Sequence, residues 1–196
     1  EDSDIVDINM GCPDKDVMKI GAGSSLLIKP TKITNIIKAM KEATDKPISA
    51  KIRLGLDGNH INALRNAKLI ADAGADAIAL INTVLGMVID TNTMRPKLAG
   101  KTGGLSGPAI RPIAVRAIYQ VHEAMPQVKI LGMGGVSSGR DAFELILAGA
   151  SAVSVGTATF GNPNAAMQIK EELSQLLTKN GFNDFRDAIG FAHRGI

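Results

Sequence analysis

Short apolar runs alternate with amphipathic stretches along this chain, and the alternation predicts a repeated strand–helix order. Ile5–Asn9 reads as a strand, because Ile5, Val6 and Ile8 are β-formers and Gly11 and Pro13 stop the run. Ile33, Ile36, Ile37 and Met40 recur at helical spacing and predict a helix over Thr31–Ala43, with Thr31 capping its start after Pro30. Pro47 releases the chain into a second strand, Ile48–Leu54, followed by a helix over Ile61–Ala73 closed by Gly74. Ala77–Ile81 is apolar throughout, as a strand covered on both faces should be. A helix over Ile110–Ala124, a strand over Val128–Leu131, a short helix over Arg140–Ala148 before Gly149, and a fifth strand over Ala152–Val155 follow. The remainder predicts helices over Asn164–Leu177 and Asp184–Gly190, the last capped by Asn183.

Five strands alternating with helices indicate a parallel α/β fold. A doubly wound sheet puts its phosphate-binding glycines after the first strand. Here that position holds Cys12, and glycine pairs follow the last two strands instead. Late glycines match the phosphate site of a (β/α)8 barrel of the TIM type, which needs eight strands and typically about 250 residues. The 196 residues therefore read as one partial barrel domain made of the last five strand–helix units. Such a unit leaves two open sheet edges and an apolar inner face, so a homo-oligomer is expected.

Composition narrows the function classes. Hydrophobic residues are 45% and charged residues 21%, ordinary for a globular domain. Aromatics are only 3%, without Trp, so platforms for stacking nucleic-acid bases are not evident, and a net charge of +3 is too mild to imply nucleic acid. One cysteine excludes an internal disulfide and fits a reducing compartment. No run is long enough to span a bilayer, and the acidic start, Glu1-Asp2-Ser3-Asp4, is not a targeting sequence, so a cytoplasmic protein is expected.

Polar residues collect at predicted strand ends, where a barrel places its active site. Cys12, in Asp7-Ile8-Asn9-Met10-Gly11-Cys12-Pro13, is a candidate acid or base. Lys51 and Arg53 share one face of the second strand by alternation, where two cations need an anionic or electron-rich partner. Asn82-Thr83 supply an amide and a hydroxyl suited to reading a polar heterocycle. A connection from Val84 to Gly107, long for an α/β unit, ends in Thr102-Gly-Gly-Leu-Ser-Gly107-Pro108. Gly132-Met-Gly134-Gly135-Val136 and Gly156-Thr157 free backbone N–H groups near helix starts, a cradle for phosphate. His60, His122 and His193 show no ligand spacing, and no metal site is expected.

These segments resemble flavoproteins, and the resemblance divides the chain. From about Ala73 onward it resembles class 1 dihydroorotate dehydrogenase, most nearly the 1B branch, through Ala77-Ile-Ala-Leu-Ile-Asn-Thr83, Gly103-Gly-Leu-Ser-Gly-Pro-Ala-Ile110, Gly132-Met-Gly-Gly-Val136, Ala148–Thr157 and Ala188–His193. From Asp7 to Asp57 it is more similar to tRNA-dihydrouridine synthase, through Asn9-Met-Gly-Cys-Pro13, Gly21-Ala-Gly-Ser-Ser-Leu-Leu27 and Lys51-Ile-Arg-Leu-Gly55. Both are FMN barrels with a catalytic cysteine at the same strand end. The first resemblance implies that Cys12 is the base that deprotonates dihydroorotate while hydride goes to the flavin. It implies that Asn9, Asn82 and Thr83 hold the pyrimidine, and that Lys51, Ile81, Gly107, Gly134, Gly135, Gly156 and Thr157 contact FMN. The dehydrogenase pattern has a serine where Gly11 stands and a second asparagine where Asp14 stands. The 1B likeness also implies an electron-transfer subunit. The second resemblance implies instead reduction of uridine in tRNA, with Cys12 as the acid and Arg53 on the RNA base, although Asn82-Thr83-Val84 stands where that family has His-Gly-Arg. The leading expectation is FMN-dependent oxidation of dihydroorotate to orotate in pyrimidine biosynthesis. The others are the tRNA reaction and an inactive half-barrel or hybrid joined between the second and third strands.

Overall fold

The computed structural model describes residues 3–195. In chain order the elements are β1 (Val6–Asn9), α1 (Lys15–Lys19), a 3-10 segment (Gly23–Ile28), α2 (Pro30–Ala43), β2 (Ile48–Lys51), α3 (Ala63–Asp72) and β3 (Ala77–Leu80). Four short strands follow, β4 (Val84–Met87), β5 (Ile89–Asp90), β6 (Arg95–Pro96) and β7 (Thr102–Leu105). After a 3-10 turn (Pro108–Ile110) come α4 (Arg111–Ala124), β8 (Lys129–Met133), α5 (Gly139–Leu147), β9 (Ala152–Ser154), α6 (Ala158–Gly161), α7 (Ala165–Lys179), α8 (Phe185–Ala188) and a last turn (Phe191–His193).

One parallel sheet runs β1-β2-β3-β8-β9 in strictly sequential order. A doubly wound sheet reverses direction part-way, and this one does not. Right-handed crossovers between sequential parallel strands put the connecting helices on one face, which is the arrangement of a barrel. Toward those helices point Ile48, Ala50, Ile78, Leu80 and Ile130, all buried with Ile33 and Ile37 of α2, Ile70 of α3, Ile118 of α4 and Leu145 of α5 in one core. Gly132 lets the helices close on β8, since a Cβ there would sit 2.8 Å from the Ala150 Cβ and 2.9 Å from Ile118.

The opposite face is not the apolar surface the pattern predicts. Register places Asn9, Lys51, Ala79, Leu131 and Ala152 in one row across it, with Asp7 and Ser49 one step below and hydrogen-bonded to each other. Several boundaries also move. The second strand ends at Lys51 rather than Leu54, because the Leu54 carbonyl is captured by the N–H groups of Asn62 and Ala63 and the chain has already turned. Thr31 does not cap α2: Pro30 takes its first turn, which needs no N–H, and Lys29 precedes it with no side-chain bond. Asp184, not Asn183, caps α8 by accepting from the Arg186 N–H at 2.8 Å. The long connection is two antiparallel ribbons, β4–β7 and β5–β6, that expose Leu85, Met87, Val88, Ile89, Met94, Leu98 and Leu105.

The end of the chain is held by a ring cluster on α4. His193 stacks on Tyr119 with centroids 3.8 Å apart and its Nε2 lies 3.0 Å from the Ala148 carbonyl. Gly190 donates to the Ile146 carbonyl. Gly149 and Gly190 enclose the His122 ring so closely that a Cβ on either would lie within 2.3 Å of it. The His122 Nδ1 is buried with no hydrogen-bond partner among the described residues. Burial, with a smaller contribution from His193, holds the His122 pKa below the ordinary 6.5. The unfolded chain then binds the extra proton first, so stability is full above 6.5 and is lost as pH falls from there through the lowered folded value. Thermal melting should fall between pH 7.5 and pH 5.5 by a few degrees more in the wild type than in His122→Phe; equal falls would overturn this.

Candidate active site

At the carboxyl ends of β2, β3, β8 and β9 lies a cavity of about 410 Å³. Nine of the eleven site residues expected from the sequence line it: Lys51, Ile81, Asn82, Thr83, Gly107, Gly134, Gly135, Gly156 and Thr157. Asn9 and Cys12 stand outside its lining, on the strand end and loop of β1.

One end of the cavity is a backbone cradle. Among the described residues, the N–H groups of Gly134, Gly135, Gly156 and Thr157 make no hydrogen bond. Gly107, Gly134 and Gly135 have φ of 82°, 128° and 75°, which favour glycine. A Cβ on Gly135 would also come 2.8 Å from the Gly107 carbonyl oxygen and from the Arg111 Cβ, so the loop after β8 lies directly on the start of α4. A Cβ on Gly156 meets open space. The loop is braced from behind by Asp141, which accepts from the Ser137 N–H at 3.0 Å and the Ser137 hydroxyl at 2.9 Å and pairs with Arg111. Burial works to raise the Asp141 pKa, but the bonds from Ser137 and Ser138 and the Arg111 charge outweigh it and hold the carboxylate below the ordinary range. Neither Asp141 nor Arg111 stands out by residue type. The signal that finds Asp141 is the spacing Ser138-Gly-Arg-Asp141 ahead of an apolar helix, a capping pattern.

The other end carries cations and amides. Burial holds Lys51 below the ordinary lysine range; Asp7 pulls the other way, Arg53 adds to the lowering and Cys12 opposes it. Arg53 is not among the residues that line the cavity. It is 7% exposed and donates to the Gly11 carbonyl and the Thr83 carbonyl, each at 3.1 Å. Asn82 Nδ2 donates to the same Gly11 carbonyl at 3.1 Å, and Asn82 Oδ1 accepts from the Thr83 N–H and hydroxyl. Asn9 Oδ1 accepts from the Gly11 N–H. Cys12, half-buried, is therefore one residue from a carbonyl tied directly to the cavity wall.

A family model described as dihydroorotate dehydrogenase matches residues 1–177. The chain belongs to the dihydroorotate dehydrogenase family. Among its curated relatives, the dihydroorotate dehydrogenase B (NAD(+)) catalytic subunit of Desulforudis audaxviator is 42% identical over 189 residues, covering 96% of this chain and 59% of the relative. The subunit of the same name from Geobacter metallireducens is 44% identical over 185 residues, 94% of this chain and 58% of the relative. The chain spans about 60% of the length of the curated relatives it matches. In structure it resembles the Eimeria tenella dihydroorotate dehydrogenase crystallised with ferulenol, with a TM-score of 0.78 at 25% identity over 98% of this chain and 55% of that one.

Dihydroorotate dehydrogenase likeness runs through the segment that reads as dihydrouridine synthase. A relative from Oceanobacillus iheyensis is 40% identical over 195 residues, 100% of the chain, so one family accounts for both halves and a hybrid is unsupported. Where the family pattern's second asparagine is replaced, Asp14 accepts from the Asp16 and Val17 N–H groups and caps α1. Where the family's serine is replaced, Gly11 leaves room for Asn82: a Cβ at Gly11 would lie 2.7 Å from Asn82 Nδ2. No helix among the described residues is long and apolar enough to cross a membrane.

Proposed function

We propose that this chain is the flavin-binding catalytic portion of a cytoplasmic enzyme that oxidises dihydroorotate to orotate. One observation carries the reading: a single cavity joins a glycine cradle of free N–H groups to Lys51 and the Asn82–Thr83 pair, with the Cys12 loop bonded to its wall. FMN fits the cradle end. The N–H groups of Gly134, Gly135, Gly156 and Thr157 would hold its phosphate, and the uncapped start of α4 adds favourable potential for an anion. When bound, the flavin supplies a two-electron acceptor for hydride. Ile81 would support its ring, and Lys51 would offset negative charge on ring or substrate. Asn9 Nδ2 and the second N–H of Asn82 remain to donate to pyrimidine oxygens, and the Thr83 hydroxyl, whose proton goes to Asn82 Oδ1, remains to accept from a ring N–H. Cys12, as thiolate, takes the proton from C5 as hydride leaves C6, so one C–H bond yields a proton to sulfur, the other yields a hydride, and the ring gains a double bond. The names of the relatives support a second, electron-transferring subunit, and the exposed apolar ribbons support contact between copies. The tRNA reading loses its RNA contact, because Arg53 is buried against two backbone carbonyls.

Anaerobic addition of dihydroorotate to the flavin-loaded full-length protein should bleach its visible absorbance; a flavin that stays oxidised would refute the assignment. Gly156 gives the clean test of the phosphate end. Gly156→Asp adds a carboxylate into open space without backbone strain and should weaken FMN binding at least about a hundredfold, roughly 3 kcal/mol. Gly135→Asp should also abolish binding, but its positive φ and contact with Arg111 confound charge with strain. Unchanged FMN affinity in Gly156→Asp, by flavin fluorescence titration, would remove the phosphate assignment.

A further inference from the structure

We propose that Arg53 is a positioning residue: it clasps the Cys12 loop to the Asn82–Thr83 strand end, so that the thiol and the side chains that read the substrate are held as one unit. The proposal rests on the dihydroorotate reading for what the unit does, and on geometry for the clasp itself. β1 and β3 are not neighbours; β2 lies between them. Arg53 leaves β2 and reaches sideways to both, donating through Nη1 to Gly11 and through Nη2 to Thr83. Those partners are 42 and 30 residues away in sequence, so no local turn supplies the bridge. Asn82 closes the triangle on the same Gly11 carbonyl.

Arg53 is a buried cation that forms no ion pair with a carboxylate among the described residues. Burial of an unpaired charge is costly, and a sequence retains it where another property is needed. Here that property is the planar fork, whose N–H groups diverge from one rigid plane to two acceptors. A lysine has one nitrogen on a flexible stem and reaches one carbonyl at a time. Gly11 is the matching half. A side chain at that position would strike Asn82, so the small residue and the arginine together define how closely the loop is drawn in.

The test is a double-mutant cycle in the full-length, flavin-loaded protein, with Arg53→Lys and Arg53→Met made alone and Arg53→Met combined with Cys12→Ala. Each single Arg53 change should slow flavin reduction by saturating dihydroorotate about a hundredfold while FMN affinity stays within about threefold. In the Cys12→Ala background Arg53→Met should cost no more than about twofold, because a residue that acts through the thiol has nothing left to position. Additive losses would mean a merely structural role, and wild-type speed in Arg53→Lys would mean that charge rather than bridging matters; either overturns the proposal. Amide exchange reads the clasp without substrate. In both Arg53 variants the peptide over residues 10–20 should exchange at least about tenfold faster while that over 129–157 is unchanged. If the wild type fails to reduce its flavin with dihydroorotate, the substrate reading fails, and the exchange result alone decides the clasp: faster exchange confined to 10–20 upholds it, and unchanged exchange overturns it.

Discussion

On the proposed function, replacing Cys12 by alanine should slow flavin reduction by dihydroorotate about a thousandfold, within the range for removing a general base, and leave FMN affinity within about threefold. The thiol is placed for this by its loop rather than by the cavity wall. The Cys12 carbonyl accepts from the Ser24 N–H at 2.8 Å, and Gly23, with φ of 56°, approaches so closely that a Cβ there would lie 2.5 Å from the same oxygen. Gly11, one residue before, is bonded through both its N–H and its carbonyl. A side chain on a segment held at this many points pays little entropy to align with a substrate carbon. The glycine cradle belongs to β8 and β9, at the far side of the sheet, so the cofactor's phosphate should not register the loss of sulfur. Cys12→Ser keeps the size but replaces the thiol by a hydroxyl and should also be slow. Stopped-flow reduction of the alanine variant at wild-type speed would make Cys12 a small packing residue.

The sequence is most legible where one physical demand leaves one residue type. The cradle is readable at Gly134 and Gly135, where positive φ and close approach leave only glycine, whereas Gly156, whose Cβ would meet open space, is under no such demand. The strictly ordered sheet follows from alternation of strand and helix for a similar reason. Alternation places Arg53 opposite Ile52 and Leu54, which pack in the core, but its partners are illegible because the Gly11 and Thr83 carbonyls come from segments 42 and 30 residues away. The ribbons between β3 and α4 are missed because β7 is Thr-Gly-Gly-Leu, a poor strand by propensity that forms by pairing with β4. The separation of Asn9 and Cys12 from the cavity is illegible too, since it depends on where the neighbouring strand ends lie. The division into two family likenesses has no structural counterpart: β2 and β3 pair in register from Ser49 with Ala77 to Lys51 with Ala79.

On the proposed reading, residues 1–196 produced alone should associate rather than sediment as an ideal monomer, and should show turnover at least about a thousandfold below that of the same chain supplied with the first three strand–helix units of a close relative. Among the described residues no strand pairs with the outer edge of β1 or of β9. We propose that the sheet is part of a barrel, in which those edges are closed. The cover thins toward them: Val6 and Ile8 of β1 are only partly buried, whereas their counterparts Ile48 and Ala50 of β2 are fully buried. Beside β9 an apolar groove of about 410 Å³ is lined by Ala142, Ile146, Val153, Ile169, Leu173 and Phe185. The polar residues on the inner face, Asp7, Ser49 and Lys51, weaken the case for collapse through that face, so association should run through the edges and the exposed ribbons. Sedimentation equilibrium over a wide concentration range measures the first point. Adding the first three strand–helix units of a close relative in trans should suppress association and raise dihydroorotate-dependent bleaching of the flavin together, because both defects have one cause. A cooperative, non-associating monomer that ignores the added units would show that five strands close on themselves, and the partial-barrel reading would fall.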